Sequence, residues 1–486
     1  MKKVGIVGAG IAGIATAIRL ASKGYQVHVF DANSYPGGKL AEIRLDGYRF
    51  DAGPSLFTMP QYVDELFNLA KKNPKDYFDY QKLEIACRYF YEDGTIINAY
   101  TNPQKFALEV KEKLGVEEKV IINHLKHSAK IYNAVGKLFL EKSLHKIGNY
   151  LSFDTLKALF YLPQIDLYKT LHQSNQARLK HPKLIQLFNR FATYNGSSPY
   201  LAPGILNVIP NLEHNIGAYF PKGGMYSITN SLYQLAKDIG VQFHFDQPVS
   251  QILLDQRKIA GLSIGNQKVN FDKIVSNADV YPTYKKLLNI ENPPKRALSQ
   301  SRSSSALIFY WGIKKEFKQL DLHNIFFSQH YEEEFDFIFN KGKTHPDPTV
   351  YINITSIYNP EDAPAGHQNW FTMINVPPNT GQDWDDMITK ARKSIITKLS
   401  RMLGENIEKQ ITTEEILEPR TIESKTSSYQ GSLYGASHNQ MMAAFHRHPN
   451  FSQQIKGLYF CGGSVHPGGG IPLCLLSAKI VEEVIN

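Results

Sequence analysis

The chain has few cysteines: Cys87, Cys461 and Cys474 in 486 residues. An odd number with no C-x-x-C pair argues against a disulfide framework or structural zinc and suits a reducing compartment, so the cytosolic side is the expected location and no metal site is expected. Long apolar runs are also lacking. No stretch reaches the ~18 uninterrupted apolar residues that would mark a membrane-spanning helix, and mean hydropathy is −0.31. The opening MKKVGIVGAGIAGIATAIRLA sets two lysines before an apolar run, but Arg19 interrupts it and the spaced glycines have a better explanation, so a cleaved leader is not expected. Repeats and low-complexity linkers are missing too, which points to interleaved lobes rather than units strung in series.

What the chain does have is enough material for more than one core. At 486 residues and 42% hydrophobic content, two or more lobes are expected. The formal charge of +9 is unevenly placed. Between Lys137 and Arg190, nine Lys/Arg (137, 142, 146, 157, 169, 178, 180, 183, 190) stand against three Asp/Glu (141, 154, 166), among Leu and Phe residues at helical spacing. Such a segment suits either a helical surface resting on anionic lipid or a solvated lobe that packs its apolar face internally. No nucleic-acid recognition motif accompanies it, so nucleic acid is not expected as a partner.

The first residues read as a βαβ unit: strand Val4 to Val7, helix Ile11 to Ser22, strand Gln26 to Phe30 ending in Asp31. A mixed helical region is expected from about Tyr62 to Phe191, and a helix from Tyr226 to Ile239. VQFHF, VSQILL, KIAGLSIG and KVNFDKIVSNAD read as short strands. Ala306–Tyr310, Val350–Ile354 and Trp370–Val376 read as strands of a further sheet, followed by a helix near Trp384 to Leu403. The last helix is expected to start at Pro472.

Within the opening unit, GAGIAG sets Gly8, Gly10 and Gly13 between strand and helix. The first permits a tight turn, the second lets backbone approach a pyrophosphate, and the third allows close helix packing, while the helix N-terminus offers free N–H groups to the phosphate charge. Asp31 follows eighteen residues after Gly13, where an acid can accept hydrogen bonds from a ribose. NAD and FAD both fit that unit. PGGK at Pro36 to Lys39 adds a second Gly-rich turn, with Gly38 and a cation, Lys39, and this favours the longer FAD.

The C-terminal GGSVHPGGGIPLCLLSAK packs five glycines and two prolines into Gly462–Pro472, directly ahead of a run of helix formers. Pro472 suits the first turn of a helix, where its missing N–H costs nothing. Gly468, Gly469 and Gly470 have no side chains to block a flat ring, so a flavin can lie there with its N1/C2-carbonyl edge facing the helix dipole, which stabilises the negative charge of the reduced ring.

Taken together, GAGIAG…FDAN…PGGK…YRFDAGPS, the middle PKGGMYSITNSLYQLAKDIGVQFHFDQPVSQI and the terminal CGGSVHPGGGIPLCLLSAK resemble the bacterial phytoene-desaturase-type carotenoid oxidoreductases over most of the chain. The terminal block is most similar to the 1-hydroxycarotenoid 3,4-desaturase branch. It departs from the GAGTHPGAGIPG typical of phytoene-converting members, and Lys39 stands where the family commonly has Arg. The resemblance implies an α/β fold: an FAD-binding Rossmann-like domain of the amine-oxidase/phytoene-desaturase type, interleaved with a substrate domain of mixed sheet and helices. On this chain it implies FAD-binding segments at 1–85, 215–290 and 450–486, a helical substrate and membrane-docking region at 86–214, and a substrate-binding sheet with helices at 291–449.

By the same resemblance, Gly8, Gly10, Gly13 and Asp31 would hold the ADP half of FAD, with Gly38 and Lys39 near the pyrophosphate. Val249 would meet the adenine through its backbone. Gly463, Ser464, Gly470, Ile471 and Pro472 would face the ribityl chain and flavin. His466 reads as a residue that orients the turn. The implied activity is a carotenoid desaturase in which a hydrogen beside a polyene leaves as hydride to flavin N5 and an adjacent proton follows. No catalytic side chain is named, because the cofactor carries the hard step.

The expected partners are a carotenoid substrate, a membrane surface contacted peripherally, and oxygen or a membrane quinone as electron acceptor. An amine-oxidising or porphyrinogen-oxidising flavoenzyme, a phytoene desaturase, a carotenoid isomerase or saturase, and a non-catalytic isoprenoid escort share the fold logic and stay open at this point.

Overall fold

The computed structural model describes residues 2–136, 140–146, 166, 168–288, 290–440 and 442–485. Much of the basic stretch, including Lys137 and Lys157, lies outside the described residues.

Five parallel strands form the first sheet, in the spatial order Gln242–His244, Gln26–Phe30, Lys3–Val7, Lys273–Ser276, Leu458–Phe460. Its central strand, KVGIV, is buried from Val4 onward, as a strand covered on both faces must be. The helices Ile11–Ser22, Tyr226–Asp238 and Ile471–Val484 share a core with it. The sheet therefore draws on three stretches that are far apart in sequence. An antiparallel meander, Val249–Asp255, Lys258–Ile264 and Gln267–Asn270, stands beside it.

A seven-stranded sheet forms the second lobe: Ile411–Leu417, Ser305–Ile313, Gln368–Val376, Val350–Asn353, His323–Phe326, Ile85–Phe90, Ile96–Tyr100. SALIFYWGI is buried along its whole length. All three tryptophans, Trp311, Trp370 and Trp384, are in the core between this sheet and the helix Trp384–Leu403.

Three expectations need correction. The region 86–214 is not only helical: Ile85–Phe90 and Ile96–Tyr100 are strands, paired to each other and, through Ile85–Phe90, to His323–Phe326. KVNFDKIVSNAD is two strands in two sheets, broken at Phe271–Asp272, where the Asp272 carboxylate accepts from the Lys3 amide at 2.7 Å. The last helix starts at Ile471, one residue ahead of Pro472, so the proline still falls within the first turn, whose N–H groups need no helical acceptor.

The basic segment is less of a surface than its composition suggests. Arg190 is buried, Lys169 and Arg178 face Asp166, and Lys183 pairs with Asp93. No helix among the described residues is long and apolar enough to cross a membrane.

Candidate active site

The turn after Lys3–Val7 is tied on both sides. Gly8 N–H donates to Phe30 O at 2.7 Å, and Ala9 N–H donates to the Asp31 carboxylate at 2.6 Å. The first helical hydrogen bond runs from Ile14 N–H to Gly10 O, so the amides just ahead of it are left for another acceptor. A Cβ on Gly13 would sit 2.2 Å from Gly8 O, so only glycine lets the helix approach the turn. The other carboxylate oxygen of Asp31 accepts from Asn33 N–H at 2.8 Å. Gln247 N–H donates to Asp31 O at 2.9 Å, which holds Pro248 and Val249 beside the acid.

The second glycine turn lies on the first. Gly37 N–H donates to Ala9 O at 2.8 Å, and a Cβ on Gly38 would fall 3.4 Å from the Gly10 Cα. Lys39 reaches away from this turn, donating to Leu433 O at 3.0 Å and Ser432 O at 3.2 Å. Burial pushes its ammonium down to about 8, against the pull of Asp279.

The C-terminal glycines are braced by a buried arginine that the sequence did not single out. Arg447 donates to Gly463 O and Ala436 O, each at 2.6 Å, and to Tyr434 O at 3.0 Å. Ser464 Oγ accepts from Val280 N–H at 3.1 Å. Gly470, with φ +105°, turns the chain into the helix Ile471–Val484 and has open space where a side chain would be. Leu473 and Cys474 continue that first turn, and Cys474 N–H makes an early helical bond back to Gly470 O at 2.9 Å. His466 is buried, donates from Nε2 to Lys142 O at 2.9 Å, and is pushed down to about 3 by burial. It is a neutral ring that holds the turn.

These pieces meet around one cavity of about 950 Å³. Gly8, Gly10, Asp31, Gly38, Lys39, Val249, Gly463, Ser464, Gly470, Ile471 and Pro472 line it; Gly13 does not, because it is spent on helix packing. Two helix N-termini, Gly10–Ala12 and Gly470–Cys474, border the same space, each carrying a partial positive charge. The cavity continues past an apolar wall of Leu206, Ile209, Leu212, Ile325, Phe335 and Met373.

Asn277 was missed as well. It follows the strand Lys273–Ser276, beside the first strand at its C-terminal end, and its Nδ2 donates to Gly8 O at 3.3 Å. Polar residues just after a parallel strand are a usable signal, since ligands gather at those ends in open α/β sheets.

Relatives of known name extend over the full chain. A 1-hydroxycarotenoid 3,4-desaturase of Flavobacterium sp. (strain P99-3) is 51% identical over 485 residues, covering 100% of this chain and 99% of that protein. A 4,4'-diapolycopene oxygenase of Methylomonas sp. is 33% identical, covering 100% and 98%. In fold, an oxidoreductase from Methanosarcina mazei superposes with a TM-score of 0.64 at 15% identity, over 99% of this chain and 100% of the other. The model of the flavin-containing amine oxidoreductases matches residues 11–485, and the chain belongs to that family.

Proposed function

We propose that the protein is an FAD-dependent carotenoid desaturase that oxidises the 3,4 bond of a 1-hydroxycarotenoid in carotenoid biosynthesis. The observation that carries this reading is the single cavity that joins two helix N-termini to an apolar chamber. Full-length identity of 51% to a 1-hydroxycarotenoid 3,4-desaturase supports the choice of substrate.

The donor set suits FAD rather than a shorter flavin, because an adenosine end and a ring end are both provided for. Amides at Gly10–Ala12 would hold the pyrophosphate, Asp31 the ribose hydroxyls, and the Val249 backbone the adenine. Gly463, Ser464, Gly470, Ile471 and Pro472 would border the ribityl chain and ring, with the helix dipole of Ile471–Val484 favouring negative charge there. When bound, FAD supplies a two-electron oxidation by accepting hydride from a carbon beside the polyene.

The rest of the work falls to alignment and dryness. Leu206, Ile209, Leu212 and Phe335 bury the polyene away from water, and positive charge developing on the substrate spreads along its conjugated chain. The resulting cation is acidic enough to lose its adjacent proton to water as the product leaves, with no dedicated strong base, which fits a site whose His466 is neutral and already bonded.

Because a carotenoid is insoluble in water, we infer that the protein collects it while docked on the cytoplasmic face of a membrane, and that oxygen or a membrane quinone takes the electrons. The mixture of basic and apolar residues between Lys137 and Arg190 motivates that docking. Binding to anionic liposomes that weakens with salt is expected, and equal binding after Lys142, Lys146 and Lys157 are changed to Glu excludes the segment.

The activity is tested by incubating the enzyme in air with phytoene, a non-hydroxylated acyclic-ended carotenoid, and its 1-hydroxy derivative. A two-hydrogen mass loss with a red-shifted spectrum is expected only for the last. Conversion of phytoene with the hydroxylated compound untouched would move the protein to phytoene desaturation.

A further inference from the structure

A polyene cavity gains nothing from buried charge, yet this one has a charged pair in its wall. Arg190 and Glu213 both line it and are 6% and 1% exposed. The guanidinium stacks on Tyr89, Phe191 and Tyr194 with ring centroids 4.7–5.2 Å away, donates to Tyr194 Oη at 2.9 Å, and reaches the Glu213 carboxylate only at 3.4 Å. Tyr194 Oη donates to the other carboxylate oxygen. Taking such a pair out of water is costly for each ion, and a purely apolar ligand returns none of it.

His323 stands in the same neighbourhood. It is 3% exposed, lines the cavity, and feels the Arg190 charge, which adds to burial in pushing it down to about 3. Its Nδ1 lies 2.7 Å from Tyr351 Oη and 3.2 Å from Asn353 Nδ2. An amide nitrogen can only donate, so Nδ1 accepts and the neutral ring carries its proton on Nε2. Among the described residues neither His323 Nε2 nor Arg190 Nε has a hydrogen-bond partner. Two donors on cavity-lining residues are thus unsatisfied, each on an atom with almost no surface of its own, so a ligand in the cavity reaches them as the two side chains turn toward it.

The patch is also tied to the ring end of the cavity. Tyr351 Oη lies 2.7 Å from Ser55 Oγ, and Ser55 lies in the loop Ala52–Leu56, where a Cβ on Gly53 would meet Lys39 O at 1.9 Å. The hydroxyl of a 1-hydroxycarotenoid sits on the second carbon from the 3,4 bond. It must therefore be held close to where that bond is oxidised.

We propose that Arg190, Glu213 and His323 form the specificity pocket for the substrate's polar end, with a tertiary hydroxyl oxygen accepting from Arg190 Nε–H and His323 Nε2–H. This inference rests on the proposed desaturation of a 1-hydroxylated carotenoid. A site built to hydrogen-bond a hydroxyl discriminates strongly against the analogue without one, since its own donors are then left unpaired.

Binding is measured on dithionite-reduced holoenzyme, which cannot turn over, by titrating a 1-hydroxylated acyclic carotenoid and its non-hydroxylated counterpart in detergent micelles. The wild type should prefer the hydroxylated compound by roughly 10- to 100-fold, as one or two charge-assisted hydrogen bonds provide. His323→Leu and Arg190→Lys, which each delete one of the two donors, should shrink that ratio about tenfold while flavin content stays at the wild-type level. His323→Gln, which restores an N–H near the Nε2 position, should recover the preference. An unchanged ratio in flavin-replete His323→Leu or Arg190→Lys overturns the pocket, as does a wild type with no preference. Desaturation by the oxidised wild type is scored separately: failure to convert either compound sinks the proposed activity, while the binding ratio still judges the pocket.

Discussion

Arg447 donates from Nη1 to the carbonyl oxygen of Gly463 at 2.6 Å, which fixes the loop that leads into the last helix. The same guanidinium serves Tyr434 O and Ala436 O, so its loss strands three carbonyls. Each buried acceptor left without a donor costs about 1–3 kcal/mol. Arg447→Met is therefore expected to lower the thermal midpoint and to reduce bound flavin at least severalfold, read from the ratio of visible flavin to protein absorbance. Full flavin content in the variant would mean that the loop holds its shape without the arginine.

At the other end of the chain, a Cβ on Gly10 would lie 2.6 Å from Asn277 Nδ2, and the residue borders the cavity. Gly10→Val should displace Asn277 and fill the space assigned to pyrophosphate, giving folded but colourless protein. Retained colour with an unchanged far-ultraviolet spectrum would show that the phosphates sit elsewhere.

The Gly10 region was legible because its signal is local. The strand Lys3–Val7, helix Ile11–Ser22 and strand Gln26–Phe30 follow each other within thirty residues, and the helix Trp384–Leu403 is fixed by its own periodicity. Ile85–Phe90 and Ile96–Tyr100 escaped because the strand that carries them into the sheet, His323–Phe326, lies over 200 residues away. Arg447, Arg190 and His323 belong to no spaced motif. A single arginine or histidine gains its role only when distant loops surround it. The basic segment misled in the opposite sense, since Arg190 counts toward surface charge in the sequence and is buried in the fold.

Lys39 lines the cavity while its ammonium rests on Ser432 O and Leu433 O, so its charge is expected to make the affinity for an anionic cofactor depend on pH. Its pKa falls from 10.5 to about 8 because burial disfavours the cation. Between those values the unfolded chain carries a proton that the folded chain has lost, so apoprotein stability rises with pH across that window. Affinity for an anionic cofactor moves the other way, weakening above about pH 8 as the ammonium discharges. Lys39→Arg, a permanent cation, should flatten the affinity profile. Parallel profiles for both proteins, from flavin titration of apoprotein, would remove Lys39 from the anion site.

Arg19 is buried between Glu65 at 2.8 Å and Glu482 at 2.7 Å, and so ties the helices Gln61–Leu69 and Ile471–Val484 to Ile11–Ser22. Removing one member of a fully buried ion pair costs about 3–5 kcal/mol. Glu65 is 30% exposed, so solvent recovers part of that, and Arg19→Met is expected to lose about 2 kcal/mol in chemical denaturation. A loss within experimental error would show that the two carboxylates are fully rehydrated.

Bound FAD is expected to desaturate a hydroxylated carotenoid end and to insert no oxygen atom into it. The most direct test is one turnover without oxygen or any added acceptor. Purified holoenzyme is mixed with excess 1-hydroxycarotenoid, quenched, and its product analysed by mass spectrometry. One equivalent of product per bound flavin is expected, lighter by two hydrogens and carrying no new oxygen. No product until oxygen is admitted, followed by a compound that has gained an oxygen atom, would contradict that expectation.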